Sequence, residues 1–267
     1  MSGWSVRKLS LGRTRAWLAS ALMLILALLA ACSGQPATLD EIEERGILYI
    51  GLDPSYPPFE ALAPGGELFG VDVELGRELA GRLGVESNFV LLSYDGLYDA
   101  LDVGQVDLLI SALVMEPGRL DDVAYSIPYF DAGLALVIPA AMAEERIEMK
   151  DLAGRRVAVE YATEGDVEAR RWGRRLGDLE VLPLTTAKEA LAAVRSGEAD
   201  AALVDGISAR LYLREHPDLG LAPDLVTSQP YGVVVRAEDQ RLLRAVNEAL
   251  EALAAEGVLD TILARWL

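Results

Sequence analysis

The chain has 267 residues, of which 52% are hydrophobic and 25% are charged, and its formal net charge at pH 7 is −18. This composition allows a large buried core and excludes an intrinsically disordered chain. The excess of acidic residues also argues against nucleic acids and anionic lipid surfaces as partners, because both are recognised by basic patches.

The first 31 residues have the pattern of a secretory signal peptide. Four basic residues, Arg7, Lys8, Arg13 and Arg15, precede an apolar run over residues 17–31, and no acidic residue occurs there. A transmembrane helix is the alternative, although a run of roughly 15 residues falls short of the about 20 that span a bilayer. Without this segment the chain keeps 20 basic and 42 acidic residues, a net charge of −22.

The only cysteine, Cys32, follows this segment directly. The sequence Leu29-Ala30-Ala31-Cys32 resembles a bacterial lipobox, in which small residues precede a Cys that is diacylated and becomes the mature N-terminus. We therefore expect a lipoprotein of the cell envelope, anchored through Cys32 on the periplasmic or extracellular face of a membrane, with residues 32–39 as a linker. A single cysteine leaves the exported domain without a disulfide, so its core alone must stabilise it.

From residue 46 onwards, short β-rich segments alternate with helical ones. In the first unit, the pattern predicts strands at 46–52, 88–92 and 106–111 and helices at 71–83 and 96–103. The alternation restarts after Ile138, with predicted strands at 156–160, 179–182 and 199–204 and helices at 164–176 and 187–196. This βαβ order predicts two α/β units, each with a parallel sheet that is covered on both faces.

The C-terminal part adds one predicted strand, at 231–236, and two predicted helices. The first helix, at 239–256, has its apolar residues on one stripe, and Gly257 is expected to end it. The last helix ends at Trp266.

The sequence lacks the common catalytic constellations. The single histidine, His216, has no second His and no free Cys with which to form a zinc or nucleophile site. A phosphate-binding Gly-rich loop and a serine nucleophile elbow are both missing, while carboxylate-only chemistry stays open. We therefore expect no metal, no cofactor and no enzymatic activity.

A series of motifs follows in order between residues 40 and 267. The first is GILYIGLDPSYPPFEALAPGGELFGVDVELGRELAGRLG, and the others are SYDGLYDALDVGQVDLLISALVMEPGR, DLAGRRVAVEYATEG, GEADAALVDG, QPYGVVVR and EGVLDTILARW. This series resembles the polar amino-acid type of bacterial extracellular solute-binding proteins, family 3. The resemblance implies a two-lobed α/β fold of the second periplasmic-binding-protein type with a two-stranded hinge. Lobe one would comprise residues 40–133 and 232–267, and lobe two residues 134–231.

The resemblance also implies that a small zwitterionic solute, such as an amino acid, lies between the lobes and is delivered to an ABC permease. Arg119 matches the family arginine that takes the ligand carboxylate bidentately. Asp205, at the end of a predicted buried strand, matches the acceptor of the ligand ammonium, where open α/β sheets place ligands. A simpler interpretation exists for each: a surface Arg in a first helical turn, and a helix N-cap.

Other positions of the family site also have counterparts. Tyr56 and Tyr94 match aromatic residues that cover the apolar part of the ligand, although both are equally suited to a core. Asp53 occupies a position that meets a cationic side chain in some relatives, and a turn carboxylate is its alternative role. Ser111 and the backbone amides of Ala112–Val114 would complete the cradle for the ligand carboxylate.

Departures from the family pattern bear on the ligand. Val114 stands where the family often has a hydroxyl residue, and Ala162-Thr163-Glu164 replaces a Gly-Thr-Thr or Gly-Thr-Gly turn. Glu164 would attract a basic group, unless it lies at a helix N-terminus for local reasons. We expect a cationic or modified amino acid, or another small zwitterion, bound by a monomer. A dehydratase acting on a cyclic amino-acid precursor and a sensory binding protein are the alternatives.

Overall fold

The computed structural model describes residues 38–267, so the predicted signal peptide, Cys32 and residues 32–37 of the predicted linker lie outside the described residues. The remaining linker positions, 38 and 39, belong to a helix, Thr38–Arg45, which anchors itself through the fully buried Ile42. Two α/β lobes follow, each built on a five-stranded sheet. Within residues 38–267, no helix is both long and apolar enough to cross a bilayer.

The first lobe is formed by two separate parts of the chain. The N-terminal part contains α1 (Thr38–Arg45), β1 (Ile47–Leu52), β2 (Ser55–Tyr56), β3 (Glu60–Leu62), β4 (Leu68–Phe69), α2 (Val71–Arg82), β5 (Glu86–Leu91), α3 (Leu97–Asp102), β6 (Leu108–Leu109) and β7 (Val123–Tyr125). Short 3₁₀ turns lie at Tyr94–Gly96 and Pro117–Arg119. The C-terminal part contributes the final strand and the last two helices, described below.

The second lobe is continuous in sequence. After the hinge strand β8 (Phe130–Asp131) it contains β9 (Leu134–Pro139), β10 (Arg156–Glu160), α4 (Glu164–Leu176), β11 (Glu180–Leu184), α5 (Ala187–Ser196), β12 (Ala201–Asp205), α6 (Gly206–Leu213) and β13 (Leu219–Leu221). Two 3₁₀ segments lie at Ala140–Glu145 and Met149–Asp151. The chain then returns through β14 (Pro230–Tyr231) to β15 (Val234–Arg236), α7 (Gln240–Ala255) and α8 (Val258–Trp266).

Both sheets are mixed, whereas the sequence predicted parallel ones. The strand order is β5-β1-β6-β15-β7 in lobe one and β11-β10-β12-β9-β13 in lobe two. The strands connected by helices pair in parallel, but β15 and β9 pair antiparallel with their neighbours. These two strands are entered directly from the hinge, and no crossover helix reverses the chain before them.

Apolar side chains cover both faces of each sheet. In lobe one, Leu79, Val246 and Leu253 pack on one face, and Leu97 and Leu101 pack on the other, all fully buried. Lobe two likewise has one apolar cluster on each side of its sheet. Each fully buried aliphatic side chain contributes about 1.5–3 kcal/mol, which accounts for stability without a disulfide.

Two strands cross between the lobes. Here β8 pairs antiparallel with β14, so Asp131 lies opposite Pro230. The Asp131 carboxylate accepts hydrogen bonds from the Gly133 and Gln229 amides, at 2.9 and 2.7 Å, and from the Ser228 hydroxyl at 2.6 Å. A single carboxylate therefore ties the two crossing segments together.

Two predicted strands differ most from those observed, and seven strands of the described residues were not predicted. The predicted strand 106–111 contracts to Leu108–Leu109, because the residues after it turn towards a cavity. The predicted strand 231–236 divides into β14 in the hinge and β15 in the lobe-one sheet. The apolar segment Leu134–Pro139, which the sequence interpretation passed over, is the antiparallel strand β9.

Candidate ligand-binding site

The first wall of the site is a cavity of about 310 Å³ in lobe one. It is lined by Asp53, Ser55, Tyr56, Glu60, Tyr94, Ser111, Ala112, Val114 and Tyr231. Six of these positions were candidates from the sequence. Tyr56 and Tyr94 are 45% and 55% exposed, so neither is a core aromatic. The cavity forms because β1 and β6 are adjacent and the segments after both strands lie at the same edge of the sheet.

The second wall is a smaller cavity of about 110 Å³ in lobe two. It is lined by Ala132, Leu134, Glu160, Thr163, Glu164, Gly165, Val204, Asp205 and Gln229. Thr163, Glu164 and Asp205 were candidates from the sequence. They come together because β10 and β12 are parallel neighbours, and the segments that follow both strands meet at one sheet edge.

The two cavities adjoin the same hinge. Tyr231 of β14 lines the first cavity, and Gln229, two residues earlier, lines the second. Burial, the Tyr56 hydroxyl and the charges of Asp72 and Asp205 raise the pKa of Tyr231, so Asp205 of lobe two acts electrostatically on the first wall. The two cavities are therefore facing parts of one inter-lobe cleft.

The cleft walls are acidic. Their lining includes the carboxyl groups of Asp53, Glu60, Glu160, Glu164 and Asp205, and within residues 38–267 neither cavity is lined by a Lys or Arg. Opposite charge within about 4–6 Å stabilises a buried ion. Such walls favour a cationic group over an anionic one.

Arg119, the predicted carboxylate clamp, lines a different cavity in this structure. That cavity also contains Tyr98, Asp122 and Arg236. The Arg119 guanidinium lies 4.2 Å from the Tyr98 ring centroid, and its Nε pairs with Glu116 Oε2 at 3.2 Å. With 43% of its side chain exposed, Arg119 is a surface residue in this structure, and its role as the carboxylate clamp stays a prediction.

Asp205 is the helix N-cap of its simpler interpretation, and its role as acceptor of a ligand ammonium stays a prediction. Its Oδ1 accepts a hydrogen bond of 2.7 Å from the Ser208 amide, which makes it the N-cap of α6. It also lines the lobe-two cavity beside Glu160 and Glu164. In the same wall, the Thr163 hydroxyl donates to the Glu160 carbonyl at 2.7 Å, and Glu164 is the exposed first residue of α4.

Ser111 and Ala112 line the cavity, but their hydrogen-bond donors are already engaged. The Ser111 hydroxyl donates to Glu60 Oε1 at 2.8 Å, and it accepts from the Asp53 amide at 3.0 Å. The Ala112 amide donates to Asp72 Oδ2 at 2.6 Å. In this structure buried carboxyl groups of the protein take both donors, and a role of the two groups towards a ligand carboxylate stays a prediction.

Those two carboxyl groups were not among the predicted site residues. Glu60, which ends PPFE, is 1% exposed, and Asp72, in the first turn of α2, is 0% exposed. Burial, with the charge of Asp72 adding to it, raises the pKa of Glu60 to about 10. Burial raises the pKa of Asp72 to about 6. Their signal in the sequence was an acidic residue directly between two apolar ones, in Phe59-Glu60-Ala61 and in Val71-Asp72-Val73.

The loop that carries Tyr94 holds Asp53 in place. Its Oδ2 accepts a hydrogen bond of 2.7 Å from the Tyr94 amide, which fixes the carboxylate at the cavity wall. This contact agrees with the turn role, and the cavity lining agrees with the binding role. Asp53 therefore links the two loops that carry Tyr56 and Tyr94.

The sequence of this chain matches a known protein family. The model of the bacterial extracellular solute-binding proteins, family 3, matches residues 48–267. The chain belongs to this family. Its fold is accordingly the two-lobed fold of periplasmic binding proteins, with two α/β lobes joined by a two-stranded hinge, as the sequence predicted.

Three proteins similar to this family 3 protein include two solute-binding proteins and one enzyme. The L-cystine-binding protein TcyJ of Escherichia coli K12 is 27% identical over 258 residues, which is 96% of each chain. An ancestral cationic amino acid solute-binding protein, AncCDT-1, is 31% identical with a TM-score of 0.63, covering 86% of this chain and 99% of the other. An ancestral cyclohexadienyl dehydratase, AncCDT-3, is 26% identical with a TM-score of 0.76, covering 87% and 97%.

Proposed function

We propose that this protein is a lipid-anchored solute-binding protein that captures a cationic amino acid, or a similar small zwitterion, and delivers it to an ABC permease. The observation that carries the proposal is the acidic cleft, in which the carboxylates of Asp53, Glu160, Glu164 and Asp205 line the two walls beside the protonated Glu60. A sequence relation to a cationic amino acid-binding protein, at 31% identity, supports the same class of solute.

Capture requires that the solute bind the closed form better than the open one. In the proposed mechanism, residues 40–133 and 232–267 close on residues 134–231 about the β8–β14 hinge. Asp205 receives the α-ammonium group, and Asp53 and Glu164 attract the cationic side chain. Because these carboxylates lie on different lobes, a solute that meets both walls shifts the equilibrium towards closure.

The α-carboxylate of the solute needs a cation, and Arg119 is the proposed one. Arg119 lies near the first wall, since its charge and that of Glu116 both act on the Tyr94 hydroxyl. Its pairing with Glu116 is exposed, and exposed ion pairs contribute about 0–1 kcal/mol. A solute carboxylate can therefore displace Glu116 at little cost when the lobes close.

The proposed location is the extracytoplasmic face of a membrane, with acylated Cys32 as the anchor of a monomeric domain. An exported, tethered domain keeps its solute close to the permease, which raises the local concentration of the complex. A sensory receptor would use the same cleft and the same residues. Co-purification of the permease with the solute-loaded protein distinguishes delivery from sensing.

A ligand panel tests the class of solute. Thermal-shift measurements with arginine, lysine, ornithine, glutamate and leucine report binding, because a ligand stabilises the folded state in proportion to ln(1 + [L]/Kd). We expect the cationic amino acids to raise Tm most. A larger shift with glutamate or leucine would contradict the proposal. Glu164→Gln should then reduce the preference for cations if Glu164 faces the solute.

Two substitutions test the charged partners. Asp205→Asn preserves the N-cap, because Asn caps as well as Asp, while it removes the charge. We expect this variant and Arg119→Ala to weaken arginine binding by roughly 2–5 kcal/mol, as truncation of one member of a buried charged pair does. Arg174→Ala, at an exposed position of α4, is the matched control. Unchanged affinity in either variant would remove that residue from the site.

A dehydratase is the second candidate function. Similarity to AncCDT-3 and a buried carboxyl group of raised pKa at the cavity, that of Glu60, favour it. Dehydration needs a general acid that reaches the substrate. Turnover of prephenate or arogenate by the purified protein would establish this function, and saturable binding of an unchanged amino acid would exclude it.

A further inference from the structure

Two carboxyl groups lie buried together behind the lobe-one cavity. Glu60 of β3 and Asp72 of α2 are 1% and 0% exposed. The two side chains are in hydrogen-bonding contact with each other, and Asp72 is also in contact with Tyr129. In the described part of the chain, no Lys or Arg pairs with either carboxyl group.

The hydrogen bonds around this pair leave two carboxyl oxygens without a donor, and one proton between them could satisfy both. One oxygen of each group has a donor: Ser111 Oγ reaches Glu60 Oε1, and the Ala112 amide reaches Asp72 Oδ2. The other two oxygens, Glu60 Oε2 and Asp72 Oδ1, are buried without a donor. Two adjacent carboxylates cannot both be ionised in such a site. A single proton shared between the groups satisfies both oxygens and leaves one negative charge.

The electrostatics assign this proton to Glu60. Burial and the charge of Asp72 raise the pKa of Glu60 to about 10, with a smaller contribution from Asp53. Burial raises the pKa of Asp72 to about 6. Burial and the charges of Asp72 and Glu60 raise the pKa of Tyr129 well above its ordinary value, so its buried hydroxyl stays neutral. The pair thus holds one proton at neutral pH and takes up a second below a pH of about 6.

The charge of this pair is connected to three residues of the cavity wall. Asp72 holds the Ala112 amide while Ala112 has a φ of 45°, a left-handed conformation that costs a non-Gly residue about 1–3 kcal/mol. Glu60 holds Ser111, whose hydroxyl in turn accepts from the Asp53 amide. A hydrogen bond to an ionised acceptor is about twice as strong as a neutral one. Protonation of Asp72 therefore weakens the contact that keeps Ala112 in its strained conformation.

We propose that Glu60 and Asp72 are a proton-sharing pair of positioning residues, which fixes the Ser111–Ala112 wall of the cleft and weakens binding of cationic solutes when it takes up a second proton. The effect on solute binding rests on the proposed function, whereas the shared proton and the positioning of Ala112 do not. A second proton acts twice: it loosens the wall, and it removes a negative charge next to the cavity.

The first test uses the purified protein without ligand. In an NMR titration of ¹³C-labelled side-chain carboxyl groups from pH about 4 to about 9, we expect the Glu60 carboxyl to stay protonated and that of Asp72 to titrate far above the usual 3.9. The Ala112 amide resonance should follow Asp72. Titration of both carboxyl groups with ordinary pKa values would overturn the proposal. An Ala112 amide resonance that does not shift as Asp72 titrates would overturn it as well.

The second test measures L-arginine affinity by calorimetry at pH about 7.5 and at pH about 5. If binding is linked to one proton, the affinity should be about fivefold to tenfold lower at the lower pH. Glu60→Gln keeps a donor towards Asp72 and should retain the fall, while the double variant Glu60→Gln/Asp72→Asn should lose it. Glu67→Gln, an exposed carboxylate of the same lobe, and His216→Gln, which removes the single histidine, should behave as wild type.

The outcomes separate the two proposals. A double variant that keeps the full pH dependence, or a His216→Gln protein that loses it, would refute the role of the pair. If L-arginine fails to bind the wild-type protein at either pH, the proposed solute class is wrong, and the ligand-free titration alone decides on the pair. If the double variant does not fold, the titration of Asp72 in Glu60→Gln decides in the same way.

Discussion

Phe59 connects lobe one to both hinge strands, and its replacement should affect stability and binding together. The side chain is fully buried, and its ring packs at 5.2 Å from Phe130 and 5.3 Å from Tyr231, with Tyr56 stacked at 5.8 Å. Each aromatic pair contributes about 0.5–1.5 kcal/mol beyond its buried area. Phe59→Leu keeps most of the apolar volume but loses three such pairs.

We therefore expect Phe59→Leu to lower the free energy of unfolding by about 1.5–4.5 kcal/mol, the sum of three ring pairs. Arginine affinity should fall as well, because Tyr56 and Tyr231 line the cavity. Phe69→Leu is the matched control, since Phe69 stacks on Trp266 at 5.6 Å, away from the hinge. It should lose only one ring pair, about 0.5–1.5 kcal/mol, and leave affinity unchanged.

Urea denaturation and calorimetry measure both effects. Equal destabilisation by the two substitutions would refute the reasoning, because the three ring contacts of Phe59 would then contribute no more than one. Unchanged arginine affinity in Phe59→Leu would show that the aromatic cluster does not support the cavity wall.

Three further predictions follow from individual positions. At Gly133 a Cβ atom would lie 1.9 Å from the Thr227 carbonyl oxygen, so Gly133→Ala should push the two crossing segments apart, and both Tm and arginine affinity should fall, as thermal shift will show. The Glu60 pKa of about 10 lies above its ordinary value of 4.5, so the folded state keeps a proton that the unfolded state has lost. Stability should then fall as the pH rises above 4.5, and Glu60→Gln should remove that part of the pH dependence in urea titrations. Cys32→Ser should release the protein from the membrane fraction, and retention of an uncleaved, membrane-bound chain would favour a spanning helix at the N-terminus.

The fold was largely predictable because the apolar pattern of this chain is regular. Helices 164–176 and 187–196 and strand 156–160 have the predicted bounds, since Gly177 and Gly197 end the two helices in the left-handed conformation. Antiparallel pairing of β9 and β15 was not predictable from βαβ order, because it depends on where the chain re-enters each sheet from the hinge.

The candidate site was predictable as a set of positions but not as a set of hydrogen bonds. The segments that follow neighbouring parallel strands meet at one sheet edge, so Asp53 and Ser111 had to lie close together. The sequence does not show which donors are free. Asp72 takes the Ala112 amide and Glu116 pairs with Arg119, and both contacts depend on side-chain directions that only the packed structure fixes.

The position of β15 between β6 and β7 has a consequence for biosynthesis. Residues 234–236 form the only link between β7 and the rest of the lobe-one sheet in the described strand order. A chain that emerges from its N-terminus therefore completes all strands of lobe two before lobe one can close its own sheet. Lobe one therefore remains unfinished while most of the polypeptide is made, and its folding is delayed until the C-terminal strand is available.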